Sequence, residues 1–229
     1  MAVYTLHIYT ISDAIFGSGS GMNSQVDIEI QRDEYGCPFL GGKALKGLLA
    51  EECANILYSL SLQGKLGTWP LIHEQLFGIP GAGLVALGVL RVGNATLPRL
   101  LSEAVINEVR MGRVSPEEVL RSLTGVRHQT SMNFLTGAAK DKSLRGKQVL
   151  VRSLPLQAEL IVPDQPPELL QLLSAAIRAF RRAGLGRNRG SGELRAYLAD
   201  GGGTNISDTH NLNFIARIRS EHVGAEICI

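Results

Sequence analysis

The apolar positions of this chain switch between a two-residue and a 3.6-residue period, and the switches mark its elements. Val3–Ile11 is β-branched and aromatic with rough alternation, which predicts a strand. Gln25–Gln31 alternates more cleanly: Val26, Ile28 and Ile30 interleave with Asp27, Glu29 and Gln31. Such a strand is half-buried, with Asp27 on its polar face. Lys43–Leu60 repeats Leu45, Leu48, Leu49, Cys53, Ile56, Leu57 and Leu60 at helical spacing. Gly64–Gly81 has no sustained period and reads as irregular, and it holds the single Trp69. Gly83–Leu97 reads as one strand bent at Gly88, and Pro98–Leu123 as short helical patterns.

Beyond these, His128–Val151 is polar, basic and glycine-containing, which predicts a long hairpin or a partly mobile loop. Leu154–Val162 alternates as a strand, with Pro155 placing it near an edge. Pro166–Ala183 is an amphipathic helix whose early Glu168 and late Arg178, Arg181 and Arg182 suit the helix dipole. Glu193–Leu198 reads as a strand, Asp200–Thr209 as a linker and Leu212–Ile218 as a last strand. The order predicts an α+β fold with a ferredoxin-like (RRM-like) β-α-β-β-α-β core, an architecture that often serves as an RNA platform.

Composition sharpens this only in part. The net charge of +2 excludes a wholly basic nucleic-acid binder, yet the charge is clustered. Arg121, Arg127, Lys140, Lys142, Arg145, Lys147 and Arg152 face the single acid Asp141, and Arg178, Arg181, Arg182, Arg187, Arg189 and Arg195 face only Glu193. Local basic clusters of this kind are the footprint of phosphate contacts. Cys37, Cys53 and Cys228 are odd in number and contain no CxxC pair, which argues against a zinc site or a disulfide framework. The N-terminus lacks the pattern of a signal peptide, and Gly83–Val92 is too short and too charged to span a bilayer. The expectation is a cytoplasmic protein with no membrane partner.

Two glycine-rich elements carry the chemistry. Gly41-Gly42-Lys43-Ala44-Leu45-Lys46-Gly47 opens a helix, where free N–H groups and the dipole favour a phosphate. Gly184–Gly192 sets Arg187, Arg189 and Ser191 among four glycines. An ordinary turn explains the first about as well as phosphate contact does, and explains the second less well. His7, His73, His210 and His222 form no pair at ligand spacing, and Ser18 and Ser20 lack the elbow and partnered His of a nucleophile.

Taken in order, Val26–Asp33, Gly36-Cys37-Pro38-Phe39-Leu40, Gly41–Gly47, Leu76-Phe77-Gly78, Thr136-Gly137-Ala138 and Gly184–Gly192 resemble the RAMP superfamily of CRISPR systems. Within it they are most similar to the repeated backbone subunit of type III effector complexes. The resemblance runs from about Ser12 to Leu198 and departs from the family where Leu40-Gly41-Gly42-Lys43-Ala44 and Phe16-Gly17-Ser18-Gly19 replace its usual glycine-serine motifs. It implies a single domain over 1–229, a thumb-like insertion at about 124–152 and a C-terminal extension at about 200–229.

The resemblance also assigns roles. It places Ser18, Gly42, Lys43, Lys46, Arg127, His128, Met132, Phe134, Gly186, Arg187, Arg189 and Ser191 on RNA, and Asp27 at the acid that cuts target RNA. Asp27 would hold Mg2+ or another divalent cation, shared with RNA oxygens and not tightly bound, with Glu29 and Asp33 as neighbouring acids off the matching position. The implied partners are CRISPR RNA, target RNA, other RAMP subunits and the large and small subunits of the complex. Two other readings stay open: a non-catalytic RNA-binding scaffold, and a metal-independent endoribonuclease that processes precursor RNA.

Overall fold

A computed structural model describes residues 1–17, 30–79, 81, 87–132, 134–139 and 145–223. The strands are β1 (Ala2–Thr10), β2 (Arg91–Val92), β3 (Thr124–Gln129), β4 (Arg145–Leu150), β5 (Pro155–Val162) and β6 (Leu194–Ala199). The helices are α1 (Gly42–Ser61), α2 (Trp69–Phe77), α3 (Arg99–Arg110), α4 (Pro116–Leu123), α5 (Glu168–Ala179) and α6 (Ser207–Val223). Four strands form an antiparallel sheet in the order β2-β5-β1-β6, and β3 and β4 form a separate hairpin. The protein is thus a mixed α+β structure built on antiparallel sheets.

Alternation in β1 decides how the sheet faces. Tyr4, Leu6, Ile8 and Thr10 are buried toward the helices, with Leu156, Ala158, Leu160 and Val162 of β5 beside them. The opposite face carries Val3, Thr5, His7 and Tyr9 and stays open or half-open. Under the buried face, α5 packs against α1, α2 and α6 and against β6. Leu169, Leu170, Leu172, Leu173, Ala175, Ala176 and Ile177 of α5 are all buried, more of the circumference than one apolar stripe covers.

The cause lies in the C-terminal segment, where the structure corrects the sequence reading. Leu212–Ile218 is not a strand but part of α6. Leu212, Phe214 and Ile218 mimic a two-residue period, but Leu212 is 64 % exposed while Phe214, Ile215 and Ile218 face the core at helical spacing. Phe214 meets Trp69 edge-on at 4.7 Å, the Arg217 guanidinium lies over the Trp69 ring, and Arg217 pairs with Glu168. The segment before it is tied down too, because the Asp200 carboxylate accepts from the N–H groups of Gly202 and Thr204.

Other corrections have equally local causes. Trp69–Phe77 is helical rather than irregular, opened by Pro70 in its first turn, where a missing N–H loses nothing. The Gly83–Leu97 run is a strand only at Arg91–Val92, with isolated pairings at Leu87, Ala95 and Thr96, while 82–86 lie outside the described residues. Pro155 does not mark an edge: β5 runs between β1 and β2, and Pro155 is its first residue, where no ladder bond is forfeited. His73 and His210 lie within α2 and α6. Cys37 and Cys53 are free and buried, and burial pushes the Cys53 thiol up to about 12. No helix among the described residues is long and apolar enough to cross a membrane.

If α6 is a structural layer, Phe214→Ala should cost about 3 kcal/mol, lowering the melting temperature by roughly 8 °C. The emission of Trp69 should shift to the red in the same variant. An unchanged melting temperature would show that α6 does not cover the core.

Candidate nucleic-acid interface

The segment Asp13–Phe16, which leaves the end of β1, organises the site. Its four backbone carbonyls accept in turn from Gly192 (2.8 Å), Leu150 (2.8 Å), Leu185 (2.9 Å) and Gln31 (2.7 Å). These donors belong to the glycine-rich loop, the end of β4 and the strand-like segment before α1. Three regions far apart in sequence are thereby held against one short stretch of chain.

The glycine-rich loop owes its path to backbone that no other residue could follow. Gly192 has φ +75°, and a Cβ there would fall 2.0 Å from the Ala183 carbonyl oxygen. Gly186 and Gly190 bracket a single 3-10 turn, Arg187–Arg189. Arg187 donates to both carboxylate oxygens of Glu51 on α1 at 2.8–3.0 Å, a bidentate clamp between loop and helix. Arg189 is exposed, and Ser191 sits against Gly186. Between loop and helix runs a groove of about 430 Å3, lined by Ala44, Gly47 and Glu51 on one side, Gly184 and Arg187 on the other, and Phe16 below.

The start of α1 is more closed than its sequence implies. The Gly42 N–H donates to Asn94 Oδ1 at 2.8 Å, and a Cβ on Gly42 would lie 2.3 Å from the Val92 carbonyl oxygen. Gly42 is therefore a packing position, and one of the N–H groups expected to meet a phosphate is taken. Lys46 turns inward: its Nζ donates to the Leu90 carbonyl at 2.8 Å, and burial lowers its pKa. Lys43 is exposed at the helix start. Asp33 is a turn former, its carboxylate accepting from Tyr35 and Cys37 N–H groups.

The β3–β4 hairpin leaves the same hub. Arg127 and Arg152 both donate to the Asp13 carboxylate, at 2.7 and 3.3 Å. Those bonds, Arg127 first, hold the carboxyl of Asp13 below its ordinary value against the opposing effect of burial. Gln148 bridges the hairpin to the core by accepting from Ile30 N–H. His128 is exposed along the arm, and the described part of the tip presents Met132, Phe134 (100 % exposed) and Leu135 (91 % exposed). Arg127 is thus held to the core, whereas Met132 and Phe134 project from it.

Asp27, Glu29 and Ser18 lie outside the described residues. Their flanks do not: Gly17 pairs with Ile30, and Gly17 and Gln31 line the groove. Among the described residues no group of three His, Cys, Asp or Glu side chains could hold a metal. Asp13, Glu51 and Asn94 were missed from the sequence. Only Asp13 left a trace there, as the sole acid among the first 26 residues.

The RAMP superfamily model matches residues 7–195. The chain belongs to the RAMP superfamily. A chain of the cryo-EM structure of the type III-B Cmr-beta bound to cognate target RNA superimposes on this RAMP protein with TM-score 0.61 at 12% identity, covering 86% of this chain and 97% of that one. A chain of the Cmr-beta apo state gives TM-score 0.58 at 11% identity with the same coverages. No curated protein matches.

The Asp13 pairs give a pH dependence of definite sign. The folded carboxyl has the lower pKa, so its contribution is complete above the ordinary aspartate value of about 4 and fades as pH falls through the folded value. Wild type should melt roughly 2 °C above Asp13→Asn near neutrality, and the gap should close in acid. A gap independent of pH would remove these ion pairs from the hairpin's anchorage.

Proposed function

We propose that this RAMP protein is an RNA-binding backbone subunit of a type III CRISPR effector complex. The observation that carries the reading is the Asp13–Phe16 hub, which brings the glycine-rich loop and the flanks of the Asp27 segment together around one groove and ties the base of the hairpin to the same stretch of chain. The likeness to a chain of an assembly bound to target RNA supports it. The core is read as ferredoxin-like: β1-α1-β2 and β5-α5-β6 supply the two halves, and the order β2-β5-β1-β6 is that of such a sheet. The hairpin is read as the thumb.

In this reading Lys43, Arg189 and the groove backbone hold the guide RNA, with Arg187 fixing the loop through Glu51. Met132 and Phe134 at the hairpin tip wedge between bases and splay a nucleotide of the paired target, an unstacking that costs about a few kcal/mol. The splayed 2′-hydroxyl then lines up with its adjacent phosphate beside Asp27. A divalent cation, when bound, would be shared by Asp27 and RNA oxygens and would neutralise the phosphate. The products are a 2′,3′-cyclic phosphate and a 5′-hydroxyl. CRISPR RNA, target RNA, further RAMP subunits and the large and small subunits are the partners, in the cytoplasm.

In the assembled complex, labelled target RNA should be cut at regular intervals, and EDTA should stop the cuts. Asp27→Ala should lower the rate at least 100-fold while target binding persists. Cleavage that survives either treatment overturns the assigned chemistry. Binding without any cleavage by the unaltered complex would leave a scaffold.

A further inference from the structure

The open face of the four-stranded sheet carries a second feature that the groove does not use. His7 and Tyr197 stack at 4.7 Å with ring planes 4° apart, and Tyr9 continues the stack beyond Tyr197 at 6.4 Å and 15°. Register explains the alignment. Tyr197, His7 and Gln157 form one cross-strand row, and Arg195, Tyr9 and Pro155 form the next. Gln157 Nε2 lies 3.3 Å from His7 Nδ1 and fixes that ring, and burial lowers the His7 pKa. Three flat rings stand in parallel, and the outer one, Tyr9, is 40 % exposed.

Beside them a cleft of about 500 Å3 opens along the free edge of β6. Arg178, Arg181, Arg195 and Tyr197 line it, with Glu193 as its single carboxylate. Arg178 is shared with Asp208 at 3.3 Å, while the guanidinium groups of Arg181 and Arg195 have no carboxylate partner among the described residues. The edge is interrupted at both ends: Leu194 N–H donates to Arg181 O, and Leu198 O accepts from Ile206 N–H. Strand alternation leaves the C=O of Leu194 and the N–H and C=O of Ala196 directed outward between those pairings. A gap this short cannot add a peptide strand.

We propose that this face is a stacking platform for an unpaired ribonucleotide, its base extending the Tyr9–Tyr197–His7 stack and its phosphate held by Arg195 and Arg181. Aromatic rings beside unpaired guanidinium groups match a flat base joined to an anion, and the cleft volume suits one nucleotide. β1 and β6 run from the platform into the Asp13–Phe16 hub, because Glu193 O accepts from the Ile11 and Ser12 N–H groups. A strand leaving the groove would reach the platform without crossing the core. The proposal rests on the RNA-binding reading above and adds a second contact to it.

The test is an unstructured eight-nucleotide RNA bearing one 2-aminopurine, titrated into the purified full chain. Wild type should quench the fluorescence by stacking. Tyr9→Leu should abolish the quench and weaken binding about tenfold, and Tyr9→Phe, which keeps the ring, should restore both. Arg195→Gln should lower the slope of log affinity against log salt by about 0.7. Circular dichroism checks that each variant is folded. If Tyr9→Leu quenches and binds as wild type does while Arg189→Gln weakens binding, the platform is wrong and the groove reading stands. If the unaltered chain binds no RNA, or binds only a second copy of itself through this face, the platform is overturned, and the absence of any RNA binding removes the groove reading as well.

Discussion

Four consecutive carbonyls that must be satisfied away from water organise this molecule. Ala14, Ile15 and Phe16 are buried, and a buried C=O without a donor carries a desolvation cost of about 1–3 kcal/mol. The protein meets that demand with four donors from three regions: Gly192 and Leu185, Leu150, and Gln31. The loop, the hairpin and the approach to α1 are consequently positioned by main-chain bonds, which side-chain substitution hardly alters. Charge then refines the arrangement: Arg127 and Arg152 seat the hairpin on Asp13, and Arg187 closes the loop onto Glu51.

The helical side of the sheet follows a related logic. α5 is apolar around most of its circumference and needs cover on more than one side. The sheet and α1 supply part of it, and α2 and α6 supply the rest through Trp69 and Phe214. Glu168, at the start of α5, meets Arg217 of α6, so the last helix is placed by a charge at one end and an aromatic pair at its centre. With its buried face covered this way, the sheet is free to leave the other face open, and the aromatic stack stands there.

Much of the fold was legible residue by residue. β1, α1, β5, α5 and β6 follow from period and propensity, and the hairpin from its polar, basic and glycine-containing composition. Leu212–Ile218 failed because Leu212, Phe214 and Ile218 fit a two-residue period while Phe214, Ile215 and Ile218 fit a helical one, and only packing on α2 and α5 chose the helix. The candidate site was read less completely. Lys43, Arg189, Met132 and Phe134 are exposed where a ligand could meet them, whereas Lys46, Gly42 and Arg127 are engaged with Leu90, Asn94 and Asp13. A basic residue looks the same in sequence whether its partner is a phosphate or a carbonyl in its own fold.

The sequence alone determined most of the succession of strands and helices, the two glycine-rich turns, the basic hairpin and the membership of a superfamily, because these reside in local backbone preference and in residue order. Tertiary structure alone decided which carbonyl each glycine N–H finds, which cations remain outside and which rings come into register. Those outcomes depend on contacts between residues such as Asp13 and Arg127 or His7 and Tyr197, more than a hundred positions apart, and no local pattern encodes a partner at that distance.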